Sequence, residues 1–363
     1  MALLPQELLN SIVREIDDVS TLKASCLAGS VFRDEAQRVL FSKFTMNPRA
    51  RKPDAVYDLL QNSPHIASYI TRLDIEFESS GEILAGDTES LLKIFDRLKN
   101  VQSCTAFSIP NGHIHAALLS AFLAFLSRQP LRELKVDSTL SLIPAVCLRL
   151  MTMAPAISFA YSFIADDNDF PTPDSQPAVP RMRELTLGTF TADVNALLAR
   201  TQPQEYTQGL LRISLSCHDD PANGIVFANA LTLEHIEFEL GAGPPAIPLL
   251  PALRSVQLSS WREHQNPWFF DLVSTILGSS PLLVDLTLEF PFKHARPHIR
   301  PELLHRLDTA LVEHTAAPSI RWRVLSYLDD EEKPAFADFV AYMRRGMPRV
   351  DGKHRLMLEA VKP

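Results

Sequence analysis

Two histidine pairs have spacings at which imidazoles can share a metal ion: His113-x-His115 if that stretch is a strand, and His294 with His298 if that one is a helix. Neither has a third ligand nearby, and Pro297 and Pro301 oppose regular helix around the second, so no metal site is expected. The acidic run Asp166-Asp167-Asn168-Asp169 offers hard oxygen ligands for calcium, but it lacks the glycine and the distal glutamate of an EF-hand loop. It reads as a solvated loop within the proline-rich segment 166–180. Gly241-Ala242-Gly243 follows a strand pattern, yet Pro244-Pro245 stands where a phosphate-binding helix would need free N–H groups. It reads as a turn. Cys26, Cys104, Cys147 and Cys217 are far apart with no C-x-x-C pair, which implies reduced, mostly buried thiols.

There is no nucleophile elbow, no phosphate loop, no H-E-x-x-H helix and no G-x-G-x-x-G turn. The sequence therefore offers no catalytic residues and no cofactor, and the expected chemistry is recognition. Trp261, Arg262 and His264 in the run Trp261-Arg262-Glu263-His264 are the candidate target-binding residues, because Trp and Arg dominate binding hot spots. The neighbouring Trp268-Phe269-Phe270 reads more simply as the start of a helix packed into the core.

Composition sets the frame for that reading. Among the 363 residues, 46% are hydrophobic and 21% charged, the balance of a folded chain and far from that of disorder. The net charge of -8 argues against a surface built to neutralise a nucleic-acid backbone. No stretch approaches the roughly 20 apolar residues of a membrane span, and Pro5, Glu7, Arg14 and Glu15 interrupt the first hydrophobic residues where a signal peptide would be apolar. An intracellular, soluble protein is expected, without nucleic-acid or membrane partners.

The elements that would position a recognition site fall into two rhythms. Over residues 1–45, Leu8, Leu9, Ile12, Val13 and Ile16 recur at helical spacing, with Pro5 suited to a first turn. Ser20 predicts the cap of a second helix over 21–27, and a third is predicted over 31–44 with Phe32, Ala36, Leu40 and Phe41 inward. Three helices this short cannot enclose a full core. At roughly 1.5–3 kcal/mol per large buried apolar side chain, a partner surface is expected to cover what remains.

A linking helix is assigned to 46–69, and from residue 70 a second unit repeats: apolar, two variable residues, then apolar-polar-apolar. It appears as Ile70-Thr71-Arg72-Leu73-Asp74-Ile75, Leu131-Arg132-Glu133-Leu134-Lys135-Val136 and Met182-Arg183-Glu184-Leu185-Thr186-Leu187. It recurs from Leu210, Leu233, Leu253 and Leu283, with degenerate copies at 101–109 and 156–164. Helical stretches at 90–99, 115–127, 192–200, 267–277 and 301–314 lie between the strands, and a helix and last strand, 355–360, close the chain. Prolines such as Pro130, Pro251 and Pro281 stop one element and turn the chain into the next.

A unit of this size cannot bury its own apolar face, whereas stacked copies share one core. The fold class is therefore α/β: a short three-helix module followed by a strand-helix solenoid over 70–363 with a curved parallel sheet. A doubly wound α/β domain is the competing architecture.

The opening stretch resembles an F-box, on Leu4, Pro5, Glu7, Leu8, Ile12, Ile16 and Leu22, with Cys26 and Leu27 preceding Phe32 and with the later Leu40-Phe41. Phe32 stands where such families usually carry Trp, and Gly29 where an apolar residue is common. The later repeats resemble irregular leucine-rich repeats. The resemblance implies a substrate-recognition subunit of a cullin-RING ubiquitin ligase. Leu4, Pro5, Leu8, Ile12, Ile16, Leu22 and Phe32 would form or support the surface for a Skp-type adaptor, and the repeats would hold an unknown protein substrate. The alternatives are a repeat scaffold whose first helices merely cap the array, and an α/β enzyme whose site matches no motif.

Overall fold

The computed structural model describes residues 5–47, 52–77, 85–109, 116–139, 142–164, 182–200, 206–217, 223–241, 244–260, 267–291, 299–325 and 332–361. The chain divides into two compact units, Met1–Gln176 and Pro177–Pro363.

The first unit opens with three helices: α1 (Gln6–Arg14), α2 (Val19–Ala28) and α3 (Ser30–Ser42). Asp18, not Ser20, caps α2: its carboxylate accepts the Thr21 N–H at 2.7 Å, and Ser20 lies inside the helix. Asp fits that place because its side chain satisfies an N–H that has no partner in the first turn. α3 runs straight into a short strand, β1 (Lys43–Met46). The expected linking helix is two, α4 (Pro53–Asn62) and α5 (Pro64–Tyr69), each starting at a proline whose missing N–H costs nothing in a first turn. The array thus begins at residue 43, with α4 and α5 as its first crossover.

From there the chain alternates: β2 (Arg72–Glu76), α6 (Ala85–Arg97), β3 (Ser103–Phe107), α7 (Ala116–Arg128), β4 (Glu133–Asp137), α8 (Pro144–Leu150) and β5 (Ala156–Ala160). Each strand pairs in parallel with its neighbours in sequence, in the order β1 to β5. A doubly wound sheet reverses direction partway, and this one does not.

In the second unit β6 (Glu184–Leu187), β7 (Arg212–Cys217), β8 (His235–Leu240), β9 (Ser255–Ser260), β10 (Asp285–Pro291), β11 (Ser319–Leu325) and β12 (Leu356–Val361) follow the same sequential parallel rule. Helices over Ala192–Arg200, Asn223–Ala228, Pro267–Ser279, Pro301–Glu313, Glu332–Gly346 and Pro348–Asp351 serve as crossovers, whereas β8 and β9 are joined without a helix among the described residues. Within each unit the arrangement is consistent with a solenoid-like α/β fold.

Burial shows which face the helices cover. Along β3 and β5 half-buried and buried residues alternate strictly, and β11 repeats the pattern over seven residues. One face is therefore packed and the other open, unlike a doubly wound sheet covered on both sides. Within each unit, crossovers of one hand that always advance in the same direction lay their helices on one face, which accounts for the pattern. The packed rows read Phe44, Leu73, Cys104, Leu134, Ile157 in the first unit and Leu187, Leu215, Phe238, Leu258, Leu288, Trp322 in the second. Phe95 stacks on Phe125 with centroids 4.9 Å apart, and Phe77 meets the edge of Phe122 at 5.0 Å.

The repeat is also visible in the residues leading into the strands. Thr71 O accepts from both Gln102 N (2.7 Å) and Ser103 N (3.1 Å), and Gln102 O from both Arg132 N (2.7 Å) and Glu133 N (3.2 Å). Arg183, Leu211, Glu234 and Arg254 carry the same double acceptance in the second unit. At the other strand end, Ser108, Ser138 and Tyr161 follow β3, β4 and β5 with φ of 53°, 53° and 47°, a left-handed step repeated at one register position. Among the described residues no helix is long and apolar enough to cross a membrane.

Candidate functional site

The apolar stripe of α1 is wider than one face, and the fold divides it. Val13 is buried with Leu22 and Ala36, and Ile16, Cys26, Phe32, Val39 and Leu40 pack around them. Leu8 and Ile12, four residues apart and so on one side of the helix, point the other way and remain 51% and 55% exposed. Pro5 is exposed beside them. At the corner joining α2 to α3, Leu27 (86%) and Val31 (48%) flank Gly29 and are also uncovered. The side-chain amide of Gln6 donates to Val31 O at 3.0 Å, which brings the start of α1 to that corner.

Polar contacts brace this surface from behind. Arg14 Nε donates to Glu35 Oε1 at 2.7 Å, and Arg38 reaches the other carboxylate oxygen at 3.7 Å. The Tyr69 hydroxyl donates to the Asp34 carboxylate, which pushes the phenol's ionisation up, and Arg38 lies over the Tyr69 ring at 5.5 Å. α3 is thereby seated on α5, the first crossover.

Of the adaptor residues expected from sequence, Pro5, Leu8 and Ile12 lie on the exposed face. Leu22 is in the core, and Ile16 and Phe32 line it half-buried, so these three can only support a contact surface. Leu4 lies outside the described residues, as do Trp261, Arg262 and His264. Leu27 counts only as part of the F-box-like motif, and neither it nor Val31 is among the adaptor-facing residues expected from sequence. Leu27 lies next to Cys26 on α2, and the helix turns Leu22 and Cys26 toward the core and Leu27 away from it.

The open sheet face of the second unit is mostly polar, with Met357, Leu325 and Val361 as apolar exceptions on its last strands. One register row carries Thr186, Ser214, Glu237, Gln257, Thr287 and Arg321, and the next carries Ser216, Glu239, Ser259, Glu289, Arg323 and Glu359. Ion pairs cross it: Arg323 to Glu289 at 2.7 Å, Arg321 to Glu359 at 3.3 Å and Arg212 to Glu184 at 3.7 Å. Burial and the nearby Arg212 lower the pKa of His235, which favours its neutral imidazole. Trp268 is half-buried and Phe270 buried on the helix Pro267–Ser279.

Among the described residues no three His, Cys, Asp or Glu side chains gather as a metal site. His113, His115, His294, His298 and the acidic run at 166–169 lie outside those residues. Burial drives the Cys104 and Cys147 thiols far above their usual range, which keeps them protonated and unreactive. No protein-family model matches the chain, and no curated protein matches it significantly.

Proposed function

We propose that this protein is the substrate-recognition subunit of an SCF-type cullin-RING ubiquitin ligase, with an F-box-like module that binds a Skp-type adaptor and a leucine-rich-repeat-like solenoid, its parallel sheet curved, that binds an unknown protein target. The reading is supported above all by the exposed apolar side chains of a helix triplet that already has its own core. Covering Leu27 fully would be worth roughly 1.5–3 kcal/mol, and covering the half-exposed Leu8, Ile12 and Val31 about half of that each. A module that presents them together is suited to a protein partner. Catalysis in this role is positioning: holding target and conjugating enzyme on one scaffold raises their effective concentration and makes a bimolecular encounter nearly unimolecular. The protein would act inside the cell, in cytoplasm or nucleus.

The bonds from α3 to Tyr69 favour a second reading, in which the helices cap a repeat scaffold with no ligase role. Co-expression of the full chain with a Skp-type adaptor separates the two. The wild-type chain should co-purify with the adaptor, and a variant with Leu4→Ala, Pro5→Ala and Leu8→Asp should not, while its circular dichroism is unchanged. Capture undiminished by those changes, or no capture by the wild type, would refute the ligase assignment.

A further inference from the structure

At the leading edge of the first sheet, where β1 to β4 begin, an open cleft of about 400 Å³ is lined by Lys43, Arg72, Gln102, Ser103, Arg132 and Glu133, with hydroxyl groups at its margin. The parallel register places Lys43, Arg72, Ser103 and Glu133 in one row across the four strands. Arg132 precedes Glu133, so the two arginines stand on strands two apart, about 10 Å at ordinary strand spacing. Two extended arginine side chains can converge on a small ligand over that span.

The charges here are unevenly committed. Lys43 is bound to Asp74 at 2.9 Å. Glu133 accepts from Lys135 at 3.0 Å and from the Ser103 hydroxyl at 3.1 Å; burial opposes its ionisation, but these two bonds, with the charges of Lys135 and Arg72, outweigh that and hold its carboxyl below the usual range. Neither Arg72 nor Arg132 forms an ion pair with any described residue. In a chain of net charge -8, two guanidinium groups without an ion pair among the described residues line one cleft, Arg72 also feeling the charge of Glu133 there. The backbone N–H groups of Gln102, Ser103, Arg132 and Glu133 are already bonded to neighbouring carbonyls, so recognition falls to side chains. Guanidinium groups bind tetrahedral oxyanions through paired N–H donors, and the Gln102 amide and Ser103 hydroxyl stand between them in the row order.

We propose that this cleft binds a phosphate-type dianion, with Arg72 and Arg132 as the clamp and Gln102 and Ser103 as polar partners. It does so independently of whether the N-terminal helices recruit an adaptor. A free phosphate ester and a phosphorylated side chain present the same group.

The test is calorimetric titration of the full chain, at low ionic strength and pH 7.5, with inorganic phosphate, with sulfate, and with a short phosphoserine peptide beside its unphosphorylated form. Saturable binding of the phosphate probes is expected, weakened about tenfold or more in Arg72→Gln/Arg132→Gln. Glu133→Gln removes the one carboxylate in the cleft and should tighten binding a few-fold. Affinity for the phosphopeptide should fall below pH about 6, where the ester's second proton returns, while sulfate affinity should not. A phosphopeptide binding more tightly than inorganic phosphate points to a modified protein as the source; equal affinity points to a free ester. No saturable binding by the wild type, or equal binding in the double arginine variant, overturns the proposal.

Discussion

The guanidinium Nε of Arg14, at the end of α1, sits 2.7 Å from a carboxylate oxygen of Glu35, which is buried in the middle of α3. That contact joins the helix carrying Leu8 and Ile12 to the helix resting on the repeats. Glu35→Ala leaves Arg14 and Arg38 without their shared acceptor. Because both arginines reach solvent, the loss is expected at about 1–2 kcal/mol, less than for a fully buried pair. Amide exchange should show α1 opening first in this variant, while β2 to β5 keep wild-type protection.

The division of the α1 stripe gives a paired expectation. Val13→Ala removes two buried methyl groups and should cost about 2–3 kcal/mol. Leu8→Gln and Ile12→Gln alter only exposed surface and should stay within about 0.5 kcal/mol of the wild type in urea denaturation. A large loss at Leu8 or Ile12 would mean that this face is already covered in the free protein.

Acid should report the cap of α2. The Thr21 hydroxyl, and then its N–H, hold the Asp18 carboxyl below its ordinary range. A depressed native value means that the cap contributes stability at neutral pH and loses it as pH falls through that value. Asp18→Ala should therefore lower Tm at pH 7 and lose its deficit in strong acid. Asp18→Asn, which caps without titrating, should show little deficit at neutral pH and none of the acid-dependent fall. Thermal melts of the three proteins from pH 2 to 7 decide the point.

In the second unit, a Cβ placed on Gly346 would lie 2.5 Å from Leu304 Cδ1 and 3.0 Å from Leu304 Cβ. Leu304 is fully buried on the helix Pro301–Glu313, so it has little room to yield. Gly346→Ala should cost about 1–3 kcal/mol. Combined with Leu304→Ala, the two losses should be less than additive, because the second change removes the 2.5 Å clash with Cδ1 and leaves only the 3.0 Å approach to Cβ.

Much of this fold was legible because the strand signal is local. Leucine-type positions in the repeated unit, such as Leu134 with Val136 and Leu286 with Leu288, fall on the packed face of β4 and β10. Two strands escaped the pattern for physical reasons. β1 offers only Phe44 and Met46 and follows α3 without a break, so it reads as the tail of a helix. β11 alternates Ile320, Trp322 and Val324 with two arginines, but carries no leucine at the positions that define the unit. Its period-two alternation after Pro318 was the available signal. The exposed patch was half legible: Leu8 and Ile12 carry helical spacing, but which of five stripe residues face outward depends on how α1 rotates against α3. The cleft at Arg72 and Arg132 was not legible, since they stand sixty positions apart and only the parallel register brings them to one edge.

The one-sided sheet has a consequence for how such a protein can change over generations. Glu237 and Gln257 alternate along their strands with Phe238 and Val256, so neighbouring codons answer to different demands. Mutations can drift through the outward set and redraw what the surface grips while the inward set keeps the scaffold standing.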